Sequence, residues 1–469
     1  MNAPPPPPGS RLSLLEKIGY GAGDTASNLT YQAANTFLFY YYTVVMGIDG
    51  AVIGTIFLAT RFWDAINDPL MGILADRTQT RAGRYRPFLL WLAVPYGIIA
   101  YLVFAVPDTG NAVQIGYVAV TYVLMGMIYT AINVPYSALM GVMTPDAEQR
   151  TILSSFRFVG AFSAALLINS LLFPLVRELG NGNDAEGFRL AFALFATLSA
   201  GLFLFTYFST RERLEPPKSE KANLGKDVGY VLRNAAWRIM IFAGFLTLAN
   251  VAVRGAVTAH FFEFYVGDDR EEFLWFLDRT SLVLSSGSLF FILGIFFTNF
   301  LRKRFGKRNS LLGLTFLNAV TLLGFFFIPA DKYWTMVTVN ALASFLAGPT
   351  PALVWAMYTD VADYGEWKFN RRTTGLVFSA AMFAQKLGLM VGGAASGYLL
   401  SFYGFDPEGI QSDETIMGIR VMFSIIPGVL AVGNALILIF YPLTEKDTEK
   451  ISAELAARRE QGDEADRAG

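Results

Sequence analysis

Arg61-Phe62-Trp63-Asp64-Ala65-Ile66-Asn67-Asp68-Pro69-Leu70-Met71-Gly72 lies inside a long apolar run, Val52 to Leu74. A run of that length is enough for the roughly 20 helical residues that cross a bilayer. Asp64 and Asp68 are four apart, so on a helix both carboxylates project from one face, with roughly 5–6 Å between their Cβ atoms. Two unit charges ~5 Å apart at an effective dielectric of ~20 repel by about 3 kcal/mol. At membrane depth such a pair is tolerated only beside water, a cation or a bound proton. Two readings follow. One is a salt bridge to Arg61, three residues before Asp64. The other is a cation-binding site that couples transport, with Asn67 and backbone carbonyls as further oxygen ligands.

The rest of the chain supports a membrane setting. Of its 469 residues, 54% are hydrophobic and only 16% charged, with a mean hydropathy of +0.42. A soluble domain carries closer to ~25% charged residues. The net charge of −1 gives no electrostatic reason to expect nucleic acid or an acidic partner. The absence of cysteine excludes disulfides, thiolate metal sites and thiol catalysis. A single histidine, His260, leaves no multi-histidine metal site and no conventional histidine-based triad. No nucleophile–base constellation can be assembled, so an enzyme is not expected. Residues 1–18, with Pro4 to Pro8 consecutive, read as a disordered tail and not as a signal peptide.

Apolar segments recur at 19–46, 51–75, 87–106, 112–143, 152–179, 188–210, 237–266, 280–301, 309–329, 333–358, 374–402 and 416–442. Twelve spans are thereby predicted. The longest interruption, 211–236, contains Pro216-Pro217 and divides them six and six, giving bundles over 19–210 and 237–442 and a tail over 443–469. That tail carries a short helical pattern at Glu449–Arg459. The even-numbered joints hold nineteen lysines and arginines, whereas the odd-numbered ones hold Arg270 and Lys332, with a few more at helix margins. The bias puts the even joints and both termini in the cytoplasm.

Polar residues inside these segments mark a cavity. Asp24, Asn28, Tyr31 and Asn35 follow at steps of four, three and four, one wet stripe on an otherwise apolar helix. Asp24, near the cytoplasmic end, is read either as a structural ion-pair member or as a substrate contact, and Asn28, one turn deeper, as the better substrate candidate. Tyr129, Asn133 and Tyr136 share a face in segment four and mix hydroxyl, amide and aromatic surface, which suits a sugar; packing is the alternative. Thr130 offers a hydroxyl toward Asp64 and Asp68. Arg157 is an intramembrane guanidinium that requires an acid or a hydroxylated ligand. Lys386, beside Gln385, is equally isolated and is open to ion pairing, gating or ligand contact. His260 and Glu263, with Arg254 deeper, form a candidate local network.

The joint Gly72-Ile73-Leu74-Ala75-Asp76-Arg77-Thr78-Gln79-Thr80-Arg81-Ala82-Gly83-Arg84 resembles the short basic loop between helices two and three of the major facilitator superfamily. More specific pieces are Tyr20-Gly21-Ala22-Gly23-Asp24, the segment-two motif, Asn133-Val134-Pro135-Tyr136, Arg150 with Arg157, Asp360 to Lys368, Arg372 and Gln385-Lys386. Together they resemble the glycoside–pentoside–hexuronide:cation symporter family, in its melibiose permease-like members, over roughly 15–442. The resemblance implies an all-α membrane protein of twelve helices in two pseudo-symmetric bundles, the major facilitator fold. It implies symport of a sugar or glycoside with Na⁺ or H⁺ and no cofactor beyond that ion. It implies Asp64, Asn67, Asp68 and Thr130 at the cation, with Asp64 and Asp68 on Na⁺ if sodium couples.

The same resemblance ties Arg157 and Lys386 to the sugar site or its coupling to the cation. The expected substrate set is Asp24, Asn28, Tyr31, Tyr129, Asn133, Tyr136, Ser137, Arg157, Gln385 and Lys386. The expected gating set is Asp76, Arg77, Arg84, Asp360, Asp363 and Arg372. Departures stand beside the match: Asn28 and Asn133 occupy the places of two sugar-gripping carboxylates, and Ser137 that of a stacking tryptophan. The altered pocket leaves other glycosides, pentosides or uronides open. Competing expectations are a cation-coupled lysolipid carrier on the same fold and a non-transporting sugar sensor. The partners expected are a sugar, a monovalent cation and membrane lipid, with no nucleic acid, for a monomer in the inner membrane.

Overall fold

The computed structural model describes residues 12–144, 146–214, 233–369, 374–407 and 409–468, and within some helices not every side chain. Among them are no β-strands, only two isolated bridges, Thr80 with Gly83 and Leu274 with Leu277. The helices are α1 (Leu14–Ala33), α2 (Gly50–Arg77), α3 (Arg86–Val103), α4 (Asn111–Met143), α5 (Ala147–Gly180) and α6 (Asp184–Ser209). After the middle joint come α7 (Ala235–His260), α8 (Arg279–Phe296), α9 (Thr298–Phe325), α10 (Tyr333–Ala347), α11 (Thr350–Phe369), α12 (Thr374–Phe402), α13 (Asp413–Arg420), α14 (Ile426–Ile439) and α15 (Glu445–Ala468). Wider π-helical turns continue α1, α7 and α13. Nine stretches among the described residues are long and apolar enough to cross a bilayer.

Local chemistry explains many boundaries. Ser13 opens α1 with a capping box, its Oγ accepting from the Glu16 amide while the Glu16 carboxylate accepts from the Ser13 amide. Asp49 caps α2 and Asn183 caps α6 by accepting from amides of the first turn. Gly306 (φ 77°) breaks α9 inside the basic run, so the seam between the eighth and ninth apolar segments is a kink rather than a loop. Of the tail expected over 1–18, residues 1–11 lie outside the described residues, while Ser13 and residues 14–18 open α1; most of the middle joint, 215–232, also lies outside the described residues.

Two compact units emerge. The first joins Met1–Ser219 to Gly255–Ser288 and Ser396–Gly418. Its core sits where α1 packs on α5 and α6. A Cβ on Gly160 would lie 2.3 Å from the Gly21 carbonyl oxygen, so only glycine allows α1 and α5 this approach. The second unit joins Glu220–Arg254, Leu289–Ala395 and Ile419–Gly469. In it the charged tail extends the short expected helical pattern into a full helix, α15, and docks it. Ile451 and Leu455, one turn apart, are buried in the cluster that holds Met357, Tyr358 and Val361, and Trp367 Nε1 donates to Glu454 at 2.6 Å.

Candidate functional site

The acid of α2 meets a gap in α4. Asp64 is 4% exposed, and Asn67 and Thr130 are each 6% exposed. A Cβ on Gly126 would stand 2.7 Å from Asp64 Oδ1 and 3.6 Å from Thr60 Cγ2, so the glycine makes the room that the carboxylate occupies. Thr130 follows Gly126 by one helical turn, on the same face. Asn67 Nδ2 is buried and forms no hydrogen bond among the described residues. A buried carboxylate on α2 facing α4, with a buried amide one turn on along α2 and a buried hydroxyl one turn on along α4, offers oxygens of the kind that a hard monovalent cation or a proton takes. The side chains of Asp68, Asp76 and Arg61 lie outside the described ones, as does Arg372 altogether.

One turn pattern of α1 builds the second part. Arg157 Nη2 on α5 donates to Asp24 Oδ1 at 3.1 Å, and its guanidinium lies 5.1 Å from the centre of the Tyr136 ring and 6.0 Å from that of Tyr20. The acid that Arg157 required is Asp24. Tyr31 and Tyr129 stack with centroids 5.2 Å apart, and Tyr20 and Tyr136 with centroids 4.9 Å apart. Asn28 and Asn133 fall between these two tyrosine pairs along the α1–α4 seam. Each amide Nδ2 donates to a carbonyl of its own helix, Asn28 to Asp24 and Asn133 to Tyr129, both at 2.9 Å. That leaves each amide its oxygen and its second N–H hydrogen.

The expected set divides on inspection. Tyr136 is fully buried and donates its hydroxyl to the Tyr20 carbonyl at 2.6 Å, so it is part of the wall behind Arg157 rather than a surface lining. Ser137, next along α4, is exposed. Gln385 and Lys386 are half-buried on α12 in the second unit, where Gln385 Cγ lies 3.5 Å from the Cβ position of Gly244.

Among the expected gating residues, Arg77 is exposed, and the amides of Arg84, Tyr85 and Arg86 all donate to the Glu212 carboxylate at 2.7–2.8 Å. Asp360 pairs with Lys307 at 2.6 Å and, with Asp363, lines a cavity of about 540 Å³ beneath α15. His260 Nε2 lies 2.8 Å from Thr43 Oγ1, while Arg254 donates to the Phe423 carbonyl and to Asn340. Sequence reading missed Gly126, Lys307 and Glu212. Glu212 alone carried a signal, an acid within a basic joint.

A family model described as an MFS/sugar transport protein matches residues 19–445. The chain belongs to the MFS/sugar transport family. It is similar to a protein of Escherichia coli K12 provisionally named a glycoside/cation symporter, YagG, at 36% identity over 96% of both chains. The inner membrane symporter YicJ of the same organism is 36% identical over 95% of both. The fold is that of the major facilitator transporters, as in the crystal structure of a D-xylose–proton symporter, with a TM-score of 0.63 at 14% identity over 92% of this chain and 98% of the other. The protein is accordingly a multi-pass inner-membrane transporter of the sugar-transport class and not an enzyme.

Proposed function

We propose that the protein moves a neutral sugar or glycoside into the cell together with a monovalent cation, Na⁺ or H⁺, by alternating access. The observation that carries this reading is the buried Asp64 carboxylate opposite Gly126, with Asn67 and Thr130 on the same seam. A cation that neutralises this acid gives the loaded carrier a free-energy advantage over the half-loaded one. Moving one charge inward supplies about 2.3 kcal/mol per 100 mV, or about fiftyfold accumulation. The basic even joints support a cytoplasmic face for both termini.

Neutrality of the substrate rests on three points. The Arg157 charge is already met by Asp24. The amides of Asn28 and Asn133 are uncharged, and each keeps its oxygen and one N–H hydrogen for ligand hydroxyls. The stacked Tyr31 and Tyr129, half-buried beside them, suit the apolar face of a sugar ring. Counterflow in proteoliposomes with matched neutral glycosides and uronides, with and without Na⁺ at several pH values, tests the reading. Exchange of neutral glycosides that needs a cation supports it; exchange of uronides alone contradicts it.

A further inference from the structure

The segment between α7 and α8 reaches back across the first unit. Arg270, a non-glycine residue with left-handed backbone (φ 60°), turns its guanidinium inward, where it is only 15% exposed. It pairs with Asp184 at the start of α6 and donates to Glu263 at 2.9 Å. It also lies 5.0 Å from the centre of the Tyr40 ring and 5.2 Å from that of Phe173, while the Tyr40 hydroxyl donates to Glu263. Four elements of the first unit thus meet on one loop cation, in a backbone conformation that L side chains seldom adopt.

Below that cation the same unit is sewn along three seams. Thr43 meets His260. Ser170 meets Ser285 at 2.7 Å, with Asn169 donating to Ser288 at 2.9 Å. A Cβ on Gly397 would stand 2.2 Å from the Gly50 carbonyl, so α12 touches α2 backbone to backbone. Each seam joins a segment before the middle joint to one after it, at the end away from the basic joint Arg77–Arg86. A carrier that admits substrate from that end has to part all three.

We propose that Arg270 is the latch of this outer gate, releasing Asp184 and Glu263 each time the seams part. The inference rests on the carrier reading above, but its test does not require transport. The chain has no cysteine, so Ser170→Cys places one thiol in the α5–α8 seam. Its reaction with a membrane-impermeant maleimide, applied outside right-side-out vesicles, reads how often the seam opens.

Arg270→Gln is expected to raise the labelling rate about tenfold. Asp184→Asn, at the more exposed partner, should raise it severalfold and serves if Arg270→Gln does not fold. Arg270→Lys, which keeps the cation between Asp184 and Glu263, should leave the rate near that of the parent. Unchanged labelling in Arg270→Gln and Asp184→Asn overturns the latch, as does labelling confined to inside-out vesicles. If the variants label as expected while the parent exchanges no sugar, the latch stands and the carrier reading fails.

Discussion

Arg157 Nη2 on α5 and Asp24 Oδ1 on α1 lie 3.1 Å apart, with the Tyr136 ring closing over the guanidinium. The pair is partly shielded from solvent, so neither charge is free to recruit an opposite charge from a ligand at no cost. Its neutrality sets the expected substrate class, and removing one partner should reverse the preference.

Asp24→Asn leaves Arg157 as an uncompensated cation beside Asn28. Binding of a glucuronide relative to its neutral glucoside is expected to improve by about 10- to 100-fold, on the order of the 1.5–3 kcal/mol that a charged hydrogen bond contributes. Equilibrium binding of the two ligands in detergent checks this; an unchanged ratio goes against it.

Gly126→Ala pushes a methyl group against Asp64 Oδ1 and Thr60. Overpacking of a tight site costs ~1–3 kcal/mol, so the cation concentration for half-maximal counterflow should rise about tenfold while sugar binding at saturating cation stays near that of the parent. Equal losses in both would mean the methyl group acts on the fold and not on the cation.

The helix α15 is held by buried apolar side chains, Ile451 and Leu455, beside the hydrogen bond from Trp367 to Glu454. Leu455→Ala should lower the apparent stability of the second unit by about 2 kcal/mol or more, the usual cost of emptying a buried leucine site. Thermal unfolding in detergent, with limited proteolysis of the C-terminal helix, reads the effect.

Acidification should stabilise the loop before α8. Burial pushes the Asp278 carboxyl up to about 6, against the pull of the Ser281 amide and hydroxyl that it accepts from at 2.7 and 2.8 Å. In the unfolded chain such a group titrates near ~4. Between about pH 4 and 6 the folded protein therefore holds more protons, and stability falls as pH rises through that window. Melting temperature should rise from pH 7 to pH 5, and Asp278→Asn should flatten that part of the rise.

Periodicity carried much of the fold. The four, three, four spacing of Asp24, Asn28, Tyr31 and Asn35 was legible because an apolar background makes a polar stripe conspicuous. The need of Arg157 for an acid was equally legible, since an isolated guanidinium at membrane depth is costly. Which acid it takes depends on how α1 and α5 pack, and no local pattern encodes that. Gly126 was hidden because a glycine between Met125 and Met127 reads as ordinary helix packing. The docking of α15 was hidden because Ile451 and Leu455 are two apolar residues in a strongly charged stretch. Gly306 was lost in a basic run that read as a loop.

The central claim is that a cation at Asp64 drives the cycle, and counterflow by Asp64→Asn against the parent tests it most directly. In the parent, exchange of a neutral glycoside should rise with added Na⁺ or with acidification. In Asp64→Asn that dependence should vanish, whatever basal exchange remains. Exchange in Asp64→Asn that keeps the parent's cation dependence would contradict the account.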